Sequence, residues 1–248
     1  MNNEWKLRLM NEASMYKDNC FITLTYRTSD LEPLSKEVAQ KFIKRLRKRL
    51  EPKQIRYYFV GDYGEESERP HYHALIFNWK PEEKDLYEAS RFRGKTYYAS
   101  KLLGSLWPYG FNVVGDVTPA SCGYVAGYVR RAVLSDRDEL AKVGRLRPFA
   151  LFSKGIGRAY CDEHASSIRQ SLSVIEGKKS LGLPRYYAKR LGITADEYTL
   201  HRTRRLGLDV ERYGDMVDSE TVANFQNDVS KEIEKTLVTR EKLRRSEV

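Results

Sequence analysis

The 248-residue sequence predicts an α+β fold: a central antiparallel sheet flanked by helices, with a helical C-terminal extension. Three observations lead there. Segments dense in β-branched and aromatic residues alternate with segments whose apolar residues recur at helical spacing. Two of the β segments are separated only by a short polar turn, the signature of an antiparallel hairpin. Residues 218–248 then read as one charged helix, with Val222, Phe225, Val229, Ile233 and Leu237 as its stripe.

Residues 4–17 predict an amphipathic helix, with Trp5, Leu9, Ala13 and Tyr16 at helical spacing. Cys20–Tyr26 is a strand on composition. Ser35–Leu50 is a second helix that buries Val38, Phe42, Leu46 and Leu50. Its other faces carry Lys41, Lys44, Arg45, Arg47, Lys48 and Arg49, either a solvated face or a track for a phosphate backbone. Ile55–Asp62 and His71–Trp79 form the hairpin across a Gly- and Glu-rich turn. A Lys-, Arg- and Tyr-rich loop follows, then a helix over Tyr97–Trp107 and a strand over Phe111–Val117. Thr118-Pro119 supplies an N-cap with Pro at the first helical position, opening a helix to about Leu134. Beyond it the pattern weakens into an Arg-rich segment, a helix at 157–171 and a turn at Gly177-Lys178-Lys179. The expected division is a domain at 1–175 and a helical extension at 176–248.

Charge narrows the partners. Lys and Arg number 44 against 34 Asp and Glu, a net charge of +10. Residues 218–248 hold six Lys/Arg against seven Asp/Glu, one net negative charge, so the first 217 residues carry +11. A basic body points to an anionic partner such as nucleic acid. The apolar stretches are short and broken by charges, so no membrane span is expected, and the N-terminal residues lack the apolar core of a signal peptide. Three widely spaced cysteines, Cys20, Cys122 and Cys161, argue against a disulfide framework and fit a reducing cytosol.

Chemistry concentrates in two short constellations. In Pro70-His71-Tyr72-His73 the histidines alternate along a strand, so both imidazoles face one side and can ligate one divalent metal. The hairpin partner ends in Gly61-Asp62-Tyr63, which places the Asp62 carboxylate beside them. Two His and a carboxylate leave coordination positions open for substrate. Glu65, Glu66 and Glu68 in the turn are rival ligands. In Gly123-Tyr124-Val125-Ala126-Gly127-Tyr128-Val129-Arg130-Arg131, Tyr124, Tyr128 and Arg131 share a helix face, while Val125 and Val129 face the sheet. Alone, a tyrosine pair at this spacing is also a packing pattern. Beside a metal it gains a chemical role: a phenol attacks phosphorus to give a covalent phosphotyrosine, and Arg131 stabilises the developing charge.

Phe21-Ile22-Thr23-Leu24-Thr25-Tyr26, Arg69-Pro70-His71-Tyr72-His73 and Tyr124-Val125-Ala126-Gly127-Tyr128 resemble, in order, the three motifs of HUH endonucleases, the rolling-circle replication initiators and their relatives. The nearer likeness is to microvirus initiators, which extends to Gly155-Ile156-Gly157-Arg158 and Leu183-Pro184-Arg185-Tyr186-Tyr187 and covers about residues 4–190. The resemblance implies a site-specific single-stranded DNA endonuclease and strand transferase. It implies Mg²⁺ or Mn²⁺ held by His71, His73 and Asp62, the last in place of a more common Glu, and Tyr124 and Tyr128 as nucleophiles. It also implies origin single-stranded DNA, a host helicase and a host DNA polymerase as partners, and the bacterial cytoplasm as location. One tyrosine would keep the 5′ phosphate while the freed 3′-OH primes synthesis; the second would cut the regenerated origin so that the circle closes. The chain departs from relatives in having Arg131 where many carry Lys and Gly127 where some carry Lys, and in lacking their cysteine-rich stretch. Arg holds its proton at neutral pH, which suits an electrostatic role. A related transposase or relaxase and a non-catalytic nucleic-acid-binding module are the alternatives. A helicase is not supported: Leu172 stands where a phosphate loop ending in Gly177-Lys178-Lys179-Ser180 needs its first glycine. His164 and His201 have no evident partners in the sequence.

Overall fold

The computed structural model describes residues 2–27, 33–64, 69–92, 95–134, 145–176, 179–195 and 197. The chain divides into two units, residues 1–191 and 192–248. The first has the α+β architecture that the sequence predicts, a seven-stranded antiparallel sheet with helices on both faces. Its elements are α1 (Asn2–Ser14), β1 (Asn19–Tyr26), α2 (Lys36–Leu50), β2 (Arg56–Tyr63), β3 (Pro70–Phe77), β4 (Leu86–Phe92), β5 (Lys95–Ser100), α3 (Lys101–Leu106), β6 (Gly110–Gly115), α4 (Pro119–Leu134), β7 (Phe149–Phe152), α5 (Arg158–Glu163), α6 (Ala165–Ser171), β8 (Ser173–Glu176), β9 (Lys179–Gly182) and α7 (Arg185–Leu191).

The sheet runs β4-β5-β6-β1-β3-β2-β7, so β1 and β3 lie near its middle. Alternation splits β3 between two cores. Tyr72, Ala74 and Ile76 face α2 and α3, packing with Ile22, Leu24, Phe42, Leu46, Phe59 and Trp107. Leu75 and Phe77 face α1 and α4, packing with Leu9, Tyr58, Val60, Cys122, Val125 and Ala126. Burial on both faces explains why the strand reads as nearly continuous apolar sequence apart from its histidines.

Helix starts follow capping chemistry. The Ser35 hydroxyl accepts from Val38 N–H and opens α2. At α4, Ser121 N–H donates to Thr118 Oγ1 at 3.1 Å while Thr118 N–H donates to Ser121 Oγ at 2.7 Å. Gly110 is required by close approach: a Cβ there would lie 1.9 Å from the Thr25 carbonyl oxygen.

The structure corrects the reading of 86–107. Instead of a loop and one helix over 97–107, Leu86–Phe92 and Lys95–Ser100 form a hairpin, and the helix spans only Lys101–Leu106. A buried polar knot sets that boundary. Ser100 Oγ accepts from Leu103 N–H and donates to Asp85, Leu102 N–H donates to Asp85, and Ser100 N–H donates to Asn112 Oδ1. Three further elements were not anticipated: β7, which pairs with β2, the β8–β9 ribbon, and α7. The 175/176 position lies within β8.

The Gly155–Arg158 and Leu183–Tyr187 segments are brought together over α1. Arg8 donates to the Ile156 carbonyl and lies over the rings of Trp5 and Tyr186, while Asn11 donates to Tyr187 Oη. The carboxylate of Glu12, 1 % exposed, pairs with Arg56 and accepts from Gly157 N–H. In the second unit, Thr194 and Glu197 form a reciprocal cap. The helix expected over 218–248 and His201 lie outside the described residues. Among those residues, no helix is long and apolar enough to cross a membrane. The three cysteines are buried free thiols.

Candidate active site

The register places the predicted residues on one face of the sheet. His71 pairs with Asp62 on β2 and Thr25 on β1; His73 pairs with Val60 and Thr23. Paired residues share a face, so His71, His73, Asp62, Thr23 and Thr25 all point toward α4. Helix α4 lays Tyr124 and Tyr128 over them. The His71 and His73 rings are 4.8 Å apart; Tyr124 is 5.1 Å and Tyr128 5.5 Å from the His73 ring, centroid to centroid. Tyr128 Oη donates to Tyr124 Oη, and Tyr124 Oη lies 3.3 Å from His73 Nε2.

Hydrogen bonds orient both imidazoles the same way. His71 Nδ1 lies 3.1 Å from the Arg69 carbonyl, which only accepts, so Nδ1 carries the proton. His73 Nδ1 lies 2.9 Å from Thr23 Oγ1. With the Tyr128 proton on Tyr124, the Tyr124 proton is directed at His73 Nε2, so Nδ1 is again the protonated nitrogen. Each neutral ring thus keeps an Nε2 lone pair, the form a metal requires. Asp62 is buried at 5 % exposure on the neighbouring strand. This donor set suits a hard divalent cation at a site with open positions. Among the described residues, no three His, Cys, Asp or Glu side chains are drawn into a preformed cage. Glu65, Glu66 and Glu68 lie outside the described residues; Arg131 lies on α4, and its side chain is likewise outside them.

Environment separates these tyrosines from others in the chain. Burial pushes the phenols of Tyr58, Tyr72 and Tyr187 up, holding them protonated. Tyr124 is 48 % exposed, open to a substrate, whereas Tyr128 is buried behind it. His164 is accounted for by packing: its ring stacks on Tyr160 at 4.0 Å.

Three contributors escaped the sequence reading. Thr23 fixes His73, and Phe21 stacks on the same ring at 5.5 Å. Phe111 pairs with Thr25, so it shares the face of His71 two strands away, and it is 61 % exposed with the Arg27 guanidinium 5.9 Å from its centroid. Their signal was only the β1 motif itself; their roles depend on which strands pair.

A conserved-domain comparison matches residues 19–132, from the start of β1 into the last turns of α4, to the family of replication-associated protein ORF2/gene 2 protein. The matched segment spans both constellations, and residues 19–132 belong to that family. Among curated proteins, the chain is 30 % identical over 202 residues to the replication-associated protein VP4 of Bdellovibrio phage phiMH2K, covering 75 % of this chain and 62 % of the relative. It is 33 % identical over 204 residues to the replication-associated protein ORF2 of Spiroplasma virus 4, covering 76 % and 62 %. It is 28 % identical over 185 residues to the replication-associated protein ORF4 of Chlamydia phage 1, covering 71 % and 46 %. The chain is a relative of the replication-associated proteins of small phages, and it matches about half to three-fifths of the length of these three. No solved structure gives a significant match.

Proposed function

We propose that the chain is an HUH endonuclease: a metal-dependent single-stranded DNA nickase and strand transferase that initiates rolling-circle replication of a circular single-stranded phage genome. The observation that carries this reading is the hydroxyl chain from Tyr128 through Tyr124 to His73 Nε2, set over the His71–His73 strand. Likeness to phage replication-associated proteins supports the setting.

In the proposed reaction the Tyr124 oxygen bonds to the scissile phosphorus and the P–O3′ bond breaks. One proton moves, by way of water, from the phenol to the departing oxygen, leaving a 5′-phosphotyrosine and a free 3′-OH. His71, His73 and Asp62 would hold Mg²⁺ or Mn²⁺, which when bound supplies positive charge to the non-bridging phosphate oxygens. Thr23 and the Arg69 carbonyl keep both imidazoles in the ligating tautomer. Arg131, on the same helix, would offset the developing negative charge. Tyr128 lies one turn on and would take the second cleavage, after which the new 3′-OH attacks the first phosphotyrosine and restores a phosphodiester. Phe111 would stack a base beside the scissile step. Origin DNA, a host helicase and a host polymerase are the partners, in the bacterial cytoplasm.

The test is cleavage of end-labelled single-stranded oligonucleotides from the cognate origin with Mn²⁺, resolved on a denaturing gel. Wild type should leave a 5′-linked protein–DNA adduct. The adduct should vanish with EDTA and in the Tyr124→Phe/Tyr128→Phe double variant. An adduct that persists in the double variant, or none from wild type, overturns the assignment.

A further inference from the structure

The His–Tyr cluster occupies one face of the sheet; α2 covers the other, and its charge has no part in the proposed chemistry. The helix carries Lys36, Lys41, Lys44, Arg45, Arg47, Lys48 and Arg49 against one acid, Glu37. Cations are favoured near a helix C-terminus, which accounts for some of this run, and Lys41 is engaged by Glu37 at 2.7 Å. Lys44, Arg47 and Lys48 are different. All three are exposed, none has a carboxylate partner among the described residues, and all line one groove along the flank of α2 that faces β2.

That groove has the form of a nucleotide cleft. Its volume is about 450 Å³, within the roughly 300–1,000 Å³ of clefts that take small ligands. Ile43 and the half-buried ring of Tyr57 supply its apolar surface, Gln40 a hydrogen-bonding amide, and Glu51 its single acid. The Arg47 guanidinium stands 5.1 Å from the Tyr57 ring centroid, a cation–π contact that holds one charge beside a flat stacking surface. Lys44 and Lys48 are one helical turn apart, about 5.4 Å along the axis, a spacing that lets two cations address successive phosphates of an extended strand. A merely solvated face has no reason to gather free cations around an aromatic ring in a cleft. An aromatic platform rimmed by unpaired cations is what single-stranded nucleic acid requires.

We propose that this groove is a second binding site for single-stranded DNA, on the opposite face of the sheet from Tyr124. A base stacks on Tyr57 and Arg47, and Lys44, Arg47 and Lys48 contact the flanking phosphates. The inference rests on reading the chain as a DNA-processing protein, but not on which residue cuts. Its role is to retain a strand while the other face carries out cleavage.

The test uses the full chain and a short bromodeoxyuridine-substituted oligothymidylate. Irradiation should crosslink the peptide containing Tyr57, and Tyr57→Leu should remove that crosslink while leaving the cations in place. The Lys44→Gln/Arg47→Gln/Lys48→Gln variant keeps good helix formers on an exposed face. It should bind the oligonucleotide about tenfold more weakly at low salt. Its slope of log affinity against log salt should fall by about 2, at roughly 0.7 for each phosphate no longer neutralised. Unchanged affinity and slope, crosslinks that map only elsewhere, or a loss confined to duplex DNA would overturn the proposal. Adduct formation on saturating origin oligonucleotide should be unaffected by the triple variant. A chain that binds at the groove but never forms an adduct overturns the nuclease reading alone.

Discussion

Thr23 does for His73 what no residue adjacent to it in sequence does: it holds the imidazole in one tautomer from fifty positions away, across the β1–β3 ladder. Thr23→Val keeps the shape and removes the hydroxyl. We expect Mn²⁺ affinity, measured by calorimetry, to fall about 10- to 100-fold, as when a metal ligand loses its supporting hydrogen bond, with Thr23→Ser restoring it. Phe111→Ala should raise KM for the origin oligonucleotide and leave kcat unchanged, because the ring is placed to touch a base and not the reacting phosphate. His71, His73, Tyr124 and Tyr128 were legible in the sequence because local periodicity alone puts each pair on one face. Thr23, Phe21 and Phe111 were not, because their roles are created by pairing between distant strands.

Between elements, the clearest dependence is the junction where Gly155–Arg158 meets α1 and α7. Gly157 has φ of +77°, and a Cβ there would lie 2.3 Å from Tyr187 Oη, itself fixed by Asn11. Gly157→Ala should therefore cost about 1–3 kcal/mol in denaturant unfolding. Arg56→Ala would strand the buried Glu12 carboxylate and should cost about 3 kcal/mol; Glu12→Ala should cost less, because Arg56 is 31 % exposed and can be hydrated. The same scale shows where sequence reading fails. Tyr97 and Tyr98 suit a strand as well as a helix, and the knot around Ser100, which decides between them, draws on Asp85 and Asn112 from separate elements. The four-residue strand β7 is too short for its alternation to register, and its pairing with β2 defines it.

For the whole molecule, a net charge of +10 predicts DNA binding that weakens steeply with salt, whereas EDTA should abolish adduct formation and leave most of that binding intact. A filter-binding titration beside the adduct gel separates the two. The strand order β4-β5-β6-β1-β3-β2-β7 also has a consequence in time. β1 is made early but stays unpaired until residues 70–77 and 110–115 have followed it, and the tyrosine helix comes later still. On the ribosome, the β2–β3 hairpin is the first local structure able to capture β1. The two halves of the cluster therefore meet only after the chain has been synthesised past α4. A nascent chain lacks its cutting edge, so a protein that would nick its own phage's genome is inert for more than half of its translation.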